Sequence, residues 1–255
     1  ELEEEASHLD VGNTLHRALE ALYTPLLKQP DAARAVAGLD REGVVRATEE
    51  AMAEVMGARG REVTLSGRMQ LHRDSVARYV EHILRYDARP QAEPFTVVAL
   101  EQRIKHTFRL GGRKVVLAGV ADRIDRMASG ALRIVDYKSG GDTPEFLLPE
   151  SLFSNEAVNT RTGELRYEAH NGAVLQTLLY GLILNGMRPE AQVRPELYVA
   201  RKMGTADFSP VPVCKDEEGA VVEIGALDEE LRQKLLQGLE ELFASLFDAS
   251  VPFSQ

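Results

Sequence analysis

Apolar side chains in the first ninety residues recur at helical spacing. Leu15, Leu19, Leu22 and Leu26 fall on one stripe, and Asn13 or Thr14 can cap the helix that carries them. Pro25 predicts a kink or a restart near its end. Residues 40–57 and 66–88 also read as helices, the second with Met69, Val76, Val80, Ile83 and Leu84 on or beside one face. After Pro90 and Pro94 the pattern changes. Residues 95–110, 113–127 and 131–138 are rich in Val, Ile and Leu, and Gly111-Gly112 and Ala128-Ser129-Gly130 separate them. That is the pattern of three strands joined by tight hairpins.

Residues 139–169 show no steady period and predict a long irregular connection, a form uncommon unless functional or mobile. Asn171 or Gly172 then opens a helix to about Asn185, which Gly186 ends. Residues 193–202 and 206–214 read as strands. Residues 228–247 close the pattern as an amphipathic helix carrying Leu231, Leu235, Leu239, Leu242 and Leu246. Helices, an antiparallel meander, then helix, strands and helix predict a mixed α/β fold with a sheet flanked by helices.

Composition narrows the class of protein. In 255 residues, 44% hydrophobic and 27% charged side chains describe a globular chain and exclude a disordered or fibrous one. Apolar runs such as Val115–Ala118 are far shorter than the roughly 20 residues a bilayer crossing needs, so no membrane association is expected. Cys214 is the only cysteine, which points to a reducing, cytoplasmic setting. It also leaves oxygen and imidazole ligands as the means of holding any metal. The acidic start, with Glu1, Glu3, Glu4 and Glu5 and no initiating Met, suggests a piece of a longer polypeptide. A net charge of -10 argues against indiscriminate coating of nucleic acid. Yet residues 101–138 hold nine Lys and Arg against four acids. The simplest explanation is that these cations line the solvent face of strands.

Hairpin geometry places the acids. A three-residue loop at Ala128–Gly130 sets Asp122 directly across from Asp136, and a two-residue loop at Gly111-Gly112 sets Glu101 across from Asp122. Opposed Cβ atoms are then about 5 Å apart, a destabilising spacing for like charges unless a cation offsets them. Lys138 shares the face of Asp136, and Val120, Ile124 and Ile134 supply apolar neighbours. Such a cluster suits a hard divalent cation such as magnesium or manganese. Scattered solvated charges on a hairpin would leave the same sequence pattern. A bulge or a two-residue second loop would bring Asp125 to the face of Asp136 in place of Asp122.

Gly119-Val120-Ala121-Asp122 followed by Ile134-Val135-Asp136-Tyr137-Lys138-Ser139-Gly140 resembles the core of PD-(D/E)XK nucleases. More narrowly it is similar to the RecB/AddB helicase-nuclease branch. Gly12-Asn13-Thr14-Leu15-His16 resembles that branch's upstream histidine motif, and Gln176-Thr177-Leu178-Leu179-Tyr180 its downstream Gln-x-x-x-Tyr helix. The four motifs span residues 12–180, in the family's order.

The resemblance implies a restriction-endonuclease-like core, residues 91–255, preceded by a helical part, residues 1–90, that carries the histidine. The whole would be one nuclease domain of a larger protein. It favours Asp122 over Asp125, and implies that Asp122, Asp136 and the Tyr137 carbonyl bind Mg2+ or Mn2+. His16 would be a further ligand or would orient water, and Lys138 would position the attacking water and neutralise charge on phosphorus. Gln176 and Tyr180, one turn apart, would contact substrate or metal-bound water. Glu101 would support the metal site from behind or pair with Arg103 or Lys105. Taken without the motif, His16 is an ordinary partly exposed histidine. Arg161, Arg166 and Tyr167 lie in or near the irregular 139–169 connection, which is expected to close over a DNA strand.

The implied activity is metal-dependent hydrolysis of DNA, as an exonuclease of repair or recombination, with DNA and further domains or a helicase subunit as partners. Members of this branch often continue from a Pro-Phe-x-Gln segment into iron–sulfur cysteines. Here the given sequence stops at Pro252-Phe253-Ser254-Gln255, which leaves a cluster in the parent protein open, while the single Cys214 leads us to expect none within these residues. The competing reading is an inactive nuclease-like module that binds DNA or braces a partner, though such copies usually lose an acid or the lysine.

Overall fold

In a computed structural model, the structure describes residues 8–58, 60, 67–147, 152–153, 157–158, 165–166, 171–215 and 220–247. Arg161, Tyr167 and Pro252–Gln255 lie outside them. The described elements are helices and strands in the mixed α/β order expected from the sequence. They are α1 (His8–Tyr23), α2 (Ala32–Val36), α3 (Arg41–Gly57), α4 (Gly67–Asp87), β1 (Phe95–Leu110), β2 (Arg113–Met127) and β3 (Leu132–Lys138). There follow β4 (Glu145–Leu147), β5 (Ala157–Val158), β6 (Leu165–Arg166), α5 (Gly172–Met187), β7 (Val193–Val199), β8 (Val213–Lys215), β9 (Val221–Glu223) and α6 (Glu229–Leu246). No described helix is long and apolar enough to cross a membrane.

Local chemistry explains the boundaries. Asp40, Asn171 and Asp228 accept from the backbone N–H three residues on, at 2.7, 3.1 and 2.8 Å, and so start α3, α5 and α6. Helix α1 begins before the expected Asn13 or Thr14, with Asp10 in its first turn, where a carboxylate suits the helix dipole. Pro25 ends it in a 3-10 turn, Thr24–Leu26. The strand expected over 206–214 shrinks to β8, because Pro210 and Pro212 have no N–H to give a ladder. Between 139 and 169 the structure adds β4, β5 and β6, each too short for a period to show in sequence.

The chain divides into two compact units. The first comprises Glu1–Gln102, Ala121–Asp142 and Tyr198–Pro210, and the second Arg103–Val120, Thr143–Leu197 and Val211–Gln255. The four-stranded sheet has the order β1-β2-β3-β7, and β3 with the Phe95–Gln102 and Ala121–Met127 parts of β1 and β2 belongs to the first unit. β2 and β3 are antiparallel, with Arg123 opposite Val135 and Ile124 opposite Ile134, so the next pair in this register is Asp122 with Asp136. Met127 N–H donates to Ala131 O at 2.9 Å across a three-residue loop, where Gly130 has φ +89. This is the register that the loop length predicts, and Asp125 pairs with Arg133 instead. In the second unit β4 and β8 are parallel and β8 and β9 antiparallel.

The first unit's core joins Leu15, Ala18, Leu19 and Tyr23 of α1 to Val76, Val80 and Ile83 of α4 and to Phe95, Val97, Val135 and Tyr137 of the strands. Each buried large apolar side chain contributes about 1.5–3 kcal/mol. A fully buried ionic network runs through it. Arg123 Nη1 donates to Asp87 Oδ2 at 2.8 Å and to Tyr137 Oη at 2.9 Å, and Nε to Asp125 Oδ2 at 3.0 Å. Arg133 donates twice to the same Asp125 oxygen, at 2.9 and 2.7 Å. Tyr23 and Tyr198 hydroxyls donate to Asp87. Burial alone would raise the Asp87 pKa, but Arg123 and Arg133 hold it below the usual carboxylate range. The Arg123 guanidinium lies 4.5 Å from the Tyr23 ring centroid and 5.4 Å from that of Tyr198, which places aromatic faces where further hydrogen-bond acceptors are missing.

Two of the cations counted over residues 101–138 are therefore interior, not solvent-facing as the simplest explanation had it. Removing one partner of such a network strands the others. Arg123→Ala is expected to cost about 3–5 kcal/mol, read as a lower midpoint in urea unfolding. A midpoint within error of the unmodified protein would refute this.

Candidate active site

Four elements with residues in the first unit meet at His16. Helix α1 carries it, β1 carries Glu101, and the β2–β3 pair carries Asp122, Asp136, Tyr137 and Lys138. His16 Nε2 lies 3.1 Å from the Tyr137 carbonyl oxygen, and Nδ1 lies 3.4 Å from Asp122 Oδ1 and 3.8 Å from Glu101 Oε1. The Tyr137 N–H donates to the other Asp122 oxygen at 2.7 Å. Tyr137 thus orients Asp122 with its N–H and meets His16 with its C=O, while its ring lies in the buried network. Lys138 Nζ sits 2.7 Å from Asp136 Oδ2. A concavity of about 540 Å³, lined by His16 and Glu101 with Asn13, Arg17, Glu20 and Glu54 among others, opens the cluster to solvent.

Glu101 reaches the cluster by an unusual backbone. Its φ is +45, a left-handed conformation rare for a side chain with a Cβ. Such strain costs of order 1–3 kcal/mol and gathers at functional sites. In the structure a backbone departure at Glu101 goes with its presence beside His16 and Asp122.

The electrostatics follow from burial. The carboxyl of Asp136 is pushed up to about 6, first by desolvation and then by the Asp122 charge, against the pull of Lys138 and His16. Burial opposes charge on His16, yet hydrogen bonds and charge from Asp122 and Glu101 more than offset it and hold the imidazole up at about 10. Ligand atoms of His16, Glu101 and Asp122 lie within 4.8 Å of one another. One imidazole nitrogen and several carboxylate oxygens, with a backbone carbonyl in reach, make a donor set that fits a divalent cation of the manganese or magnesium kind. The cation would take the place of the proton that His16 otherwise keeps.

Gln176 and Tyr180 belong to α5 in the second unit. Gln176 Nε2 donates to Tyr180 Oη at 2.7 Å, as i, i+4 neighbours can. The Tyr180 ring occupies the space a side chain at position 119 would need: a Cβ there would come within 2.5 Å of it. That close approach is the physical reason for glycine in the Gly-x-x-Asp motif. Sequence reasoning did not find it, nor the Arg123–Asp87 network, since neither has a local signature.

Over residues 1–255 the chain matches the PD-(D/E)XK nuclease superfamily. It belongs to that superfamily. Divalent-metal chemistry is therefore the family's, and the mixed α/β order is consistent with its restriction-endonuclease-like fold. The solved structure of SSO0001 aligns with 99% of this PD-(D/E)XK chain and 81% of its own, at 13% identity and a TM-score of 0.27. No curated protein matches the sequence.

Two measurements probe the site. With a folded pKa near 6 and an unfolded value near 4, Asp136 binds more protons folded than unfolded, so its ionisation costs stability as pH rises between those values. Asp136→Asn is expected to stabilise the metal-free protein at pH 7 by about 3 kcal/mol, seen as a Tm higher by several degrees and nearly unshifted at pH 4. A lower Tm at pH 7 would contradict the assignment. Manganese binding is expected to release about one proton at pH 8 and to strengthen about tenfold per pH unit over pH 7–9. Calorimetry in buffers of different ionisation enthalpy reads both, and binding without proton release would exclude His16.

Proposed function

We propose that this chain is a magnesium- or manganese-dependent DNA exonuclease of the RecB/AddB type, acting in repair or recombination within a larger helicase-nuclease-like protein. Supporting it is the meeting of His16, Glu101 and Asp122 beside the Asp136–Lys138 ion pair, on the strands that carry the family's motif. Its partners would be DNA and the remaining domains or a helicase subunit, in the cytoplasm. Cys214 alone provides no iron–sulfur site.

His16, Asp122, Asp136 and the Tyr137 carbonyl would hold the metal, with Glu101 as a further carboxylate. The ion would polarise the phosphoryl oxygen, favour hydroxide as nucleophile and stabilise the leaving oxygen. The protein's own groups then set geometry and charge. Tyr137 N–H fixes the rotamer of Asp122. Lys138, held against Asp136, donates hydrogen bonds to the attacking water and to the oxygens of the developing five-coordinate phosphorus, where fixed donors act most strongly. Its ammonium compensates the charge that an extra phosphate oxygen brings. Gln176 and Tyr180, already joined to each other, are the pair assigned to the substrate backbone.

The test is cleavage of end-labelled single- and double-stranded DNA with magnesium, manganese or chelator. Cleavage is expected only with metal, to shorten the label's strand progressively, and to fall about 100-fold or more in His16→Ala, Asp136→Ala and Lys138→Ala. Absence of cleavage on every substrate and metal, or full activity of Asp136→Ala, would defeat the reading.

A further inference from the structure

The second unit carries a surface that the metal site does not use. From Arg103 to Leu110, β1 alternates exposed Arg103, Lys105, Thr107 and Arg109 with Ile104, Phe108 and Leu110, which are buried. From Lys114 to Val120, β2 alternates exposed Lys114, Val116, Ala118 and Val120 with half-buried Val115, Leu117 and Gly119. The joining turn is Gly111-Gly112, with φ of +53 and +76, the left-handed pair that a two-residue hairpin requires. Such a turn opposes Arg109 to Lys114, Thr107 to Val116, Lys105 to Ala118 and Arg103 to Val120. The inner face packs on α5, where His106 lies against Gly186 and Gly119 against Tyr180. The outer face has two unlike rows. One strand presents Arg103 and Lys105 about 7 Å apart and, beyond Thr107, Arg109 about 14 Å further on, extended by Lys114 at the turn, and the other presents aliphatic side chains, with Val116 60% and Val120 38% exposed. At its end is a concavity of about 550 Å³ lined by Arg103, Lys105, Ala118 and Val120 with Ile104 and Gly119.

We infer that this hairpin face is a track for single-stranded DNA, with phosphates along the β1 cations and bases over the β2 aliphatics. Charge complementarity supports it: four cations share one face of a chain whose net charge is -10, so a polyanion is attracted here and repelled by the average surface. The two rows choose the single strand. Neighbouring strands are only about 4.8 Å apart, so the face offers one line of cations for one backbone and an apolar line beside it for unpaired bases. A duplex presents a second backbone and no exposed base face. In sequence, Arg103 follows Glu101 by two residues and Val120 precedes Asp122 by two. The choice of nucleic acid as the occupant rests on the nuclease reading.

The probe is a short fluorescein-labelled oligothymidylate, its anisotropy followed against salt with chelator present so that it stays intact. Four phosphate contacts predict a slope of log affinity against log salt of about -3, falling to about -1 in the triple variant Lys105→Gln, Arg109→Gln, Lys114→Gln. Affinity at low salt is expected to fall at least tenfold in that variant, while its manganese binding and Tm show it folded. The single change Val116→Ser is expected to weaken binding with the slope unchanged. An unaltered slope and affinity in the triple variant would overturn the track, as would duplex DNA competing equally with the single strand. Failure of the nuclease reading looks different: the oligonucleotide binds with the expected slope, and no metal brings cleavage.

Discussion

Pairing of β2 with β3 in a single register is the constraint on which the candidate site depends. Side chains alternate along a strand, so a slip of one residue would turn every one of them to the other face. The charge on Asp122 and Asp136 argues for such a slip, since two buried carboxylates side by side repel. What opposes it lies one residue away on each strand. Arg123 and Tyr137 project into the first unit's interior and are bonded to each other, and Arg123 also donates to Asp87 of α4 and to Asp125. A slip would drive carboxylates into an aromatic cage and leave a guanidinium without its partners. The cost of that exchange, several kcal/mol per ion, exceeds what separating two acids would gain. Tyr23, also bonded to Asp87, sits two turns beyond His16 in α1, so the same network fixes the helix that brings the imidazole.

Stability and chemistry pull apart at this cluster. Burial and the neighbouring charge make ionised Asp136 unfavourable in the metal-free chain, and His16 keeps a proton that two carboxylates stabilise. Glu101 adds a backbone conformation that few residues adopt. The Asp136 charge and the Glu101 backbone are costs without a cation, whereas the His16 proton is a gain that a cation must displace. A dication satisfies several oxygens at once, and a left-handed Glu101 sets its carboxylate beside them without rearrangement.

Much of this was legible in the sequence because it is local. Three strands, both hairpin loops and the start of α5 at Asn171 follow from glycines, caps and side-chain period. Loop length alone opposed Asp122 to Asp136. The parts that were not legible are non-local. Arg123 and Arg133 look like solvent-facing cations in a basic segment, because their partner Asp87 is distant in the chain. Val116 reads as a strand former and Val120 as an apolar neighbour of the acids, although both stand exposed beside a row of cations. β5, β6 and β9 are too short to carry a period.

The contact between Gly119 and the Tyr180 ring couples two positions sixty residues apart in sequence. Neither can change freely while the other stays: a methyl group at 119 needs the ring gone, and a smaller residue at 180 leaves a gap that only a larger residue at 119 would fill. Drift at these sites must therefore proceed by paired exchange. Among descendants of this chain, glycine at 119 should travel with tyrosine at 180 as one inherited character.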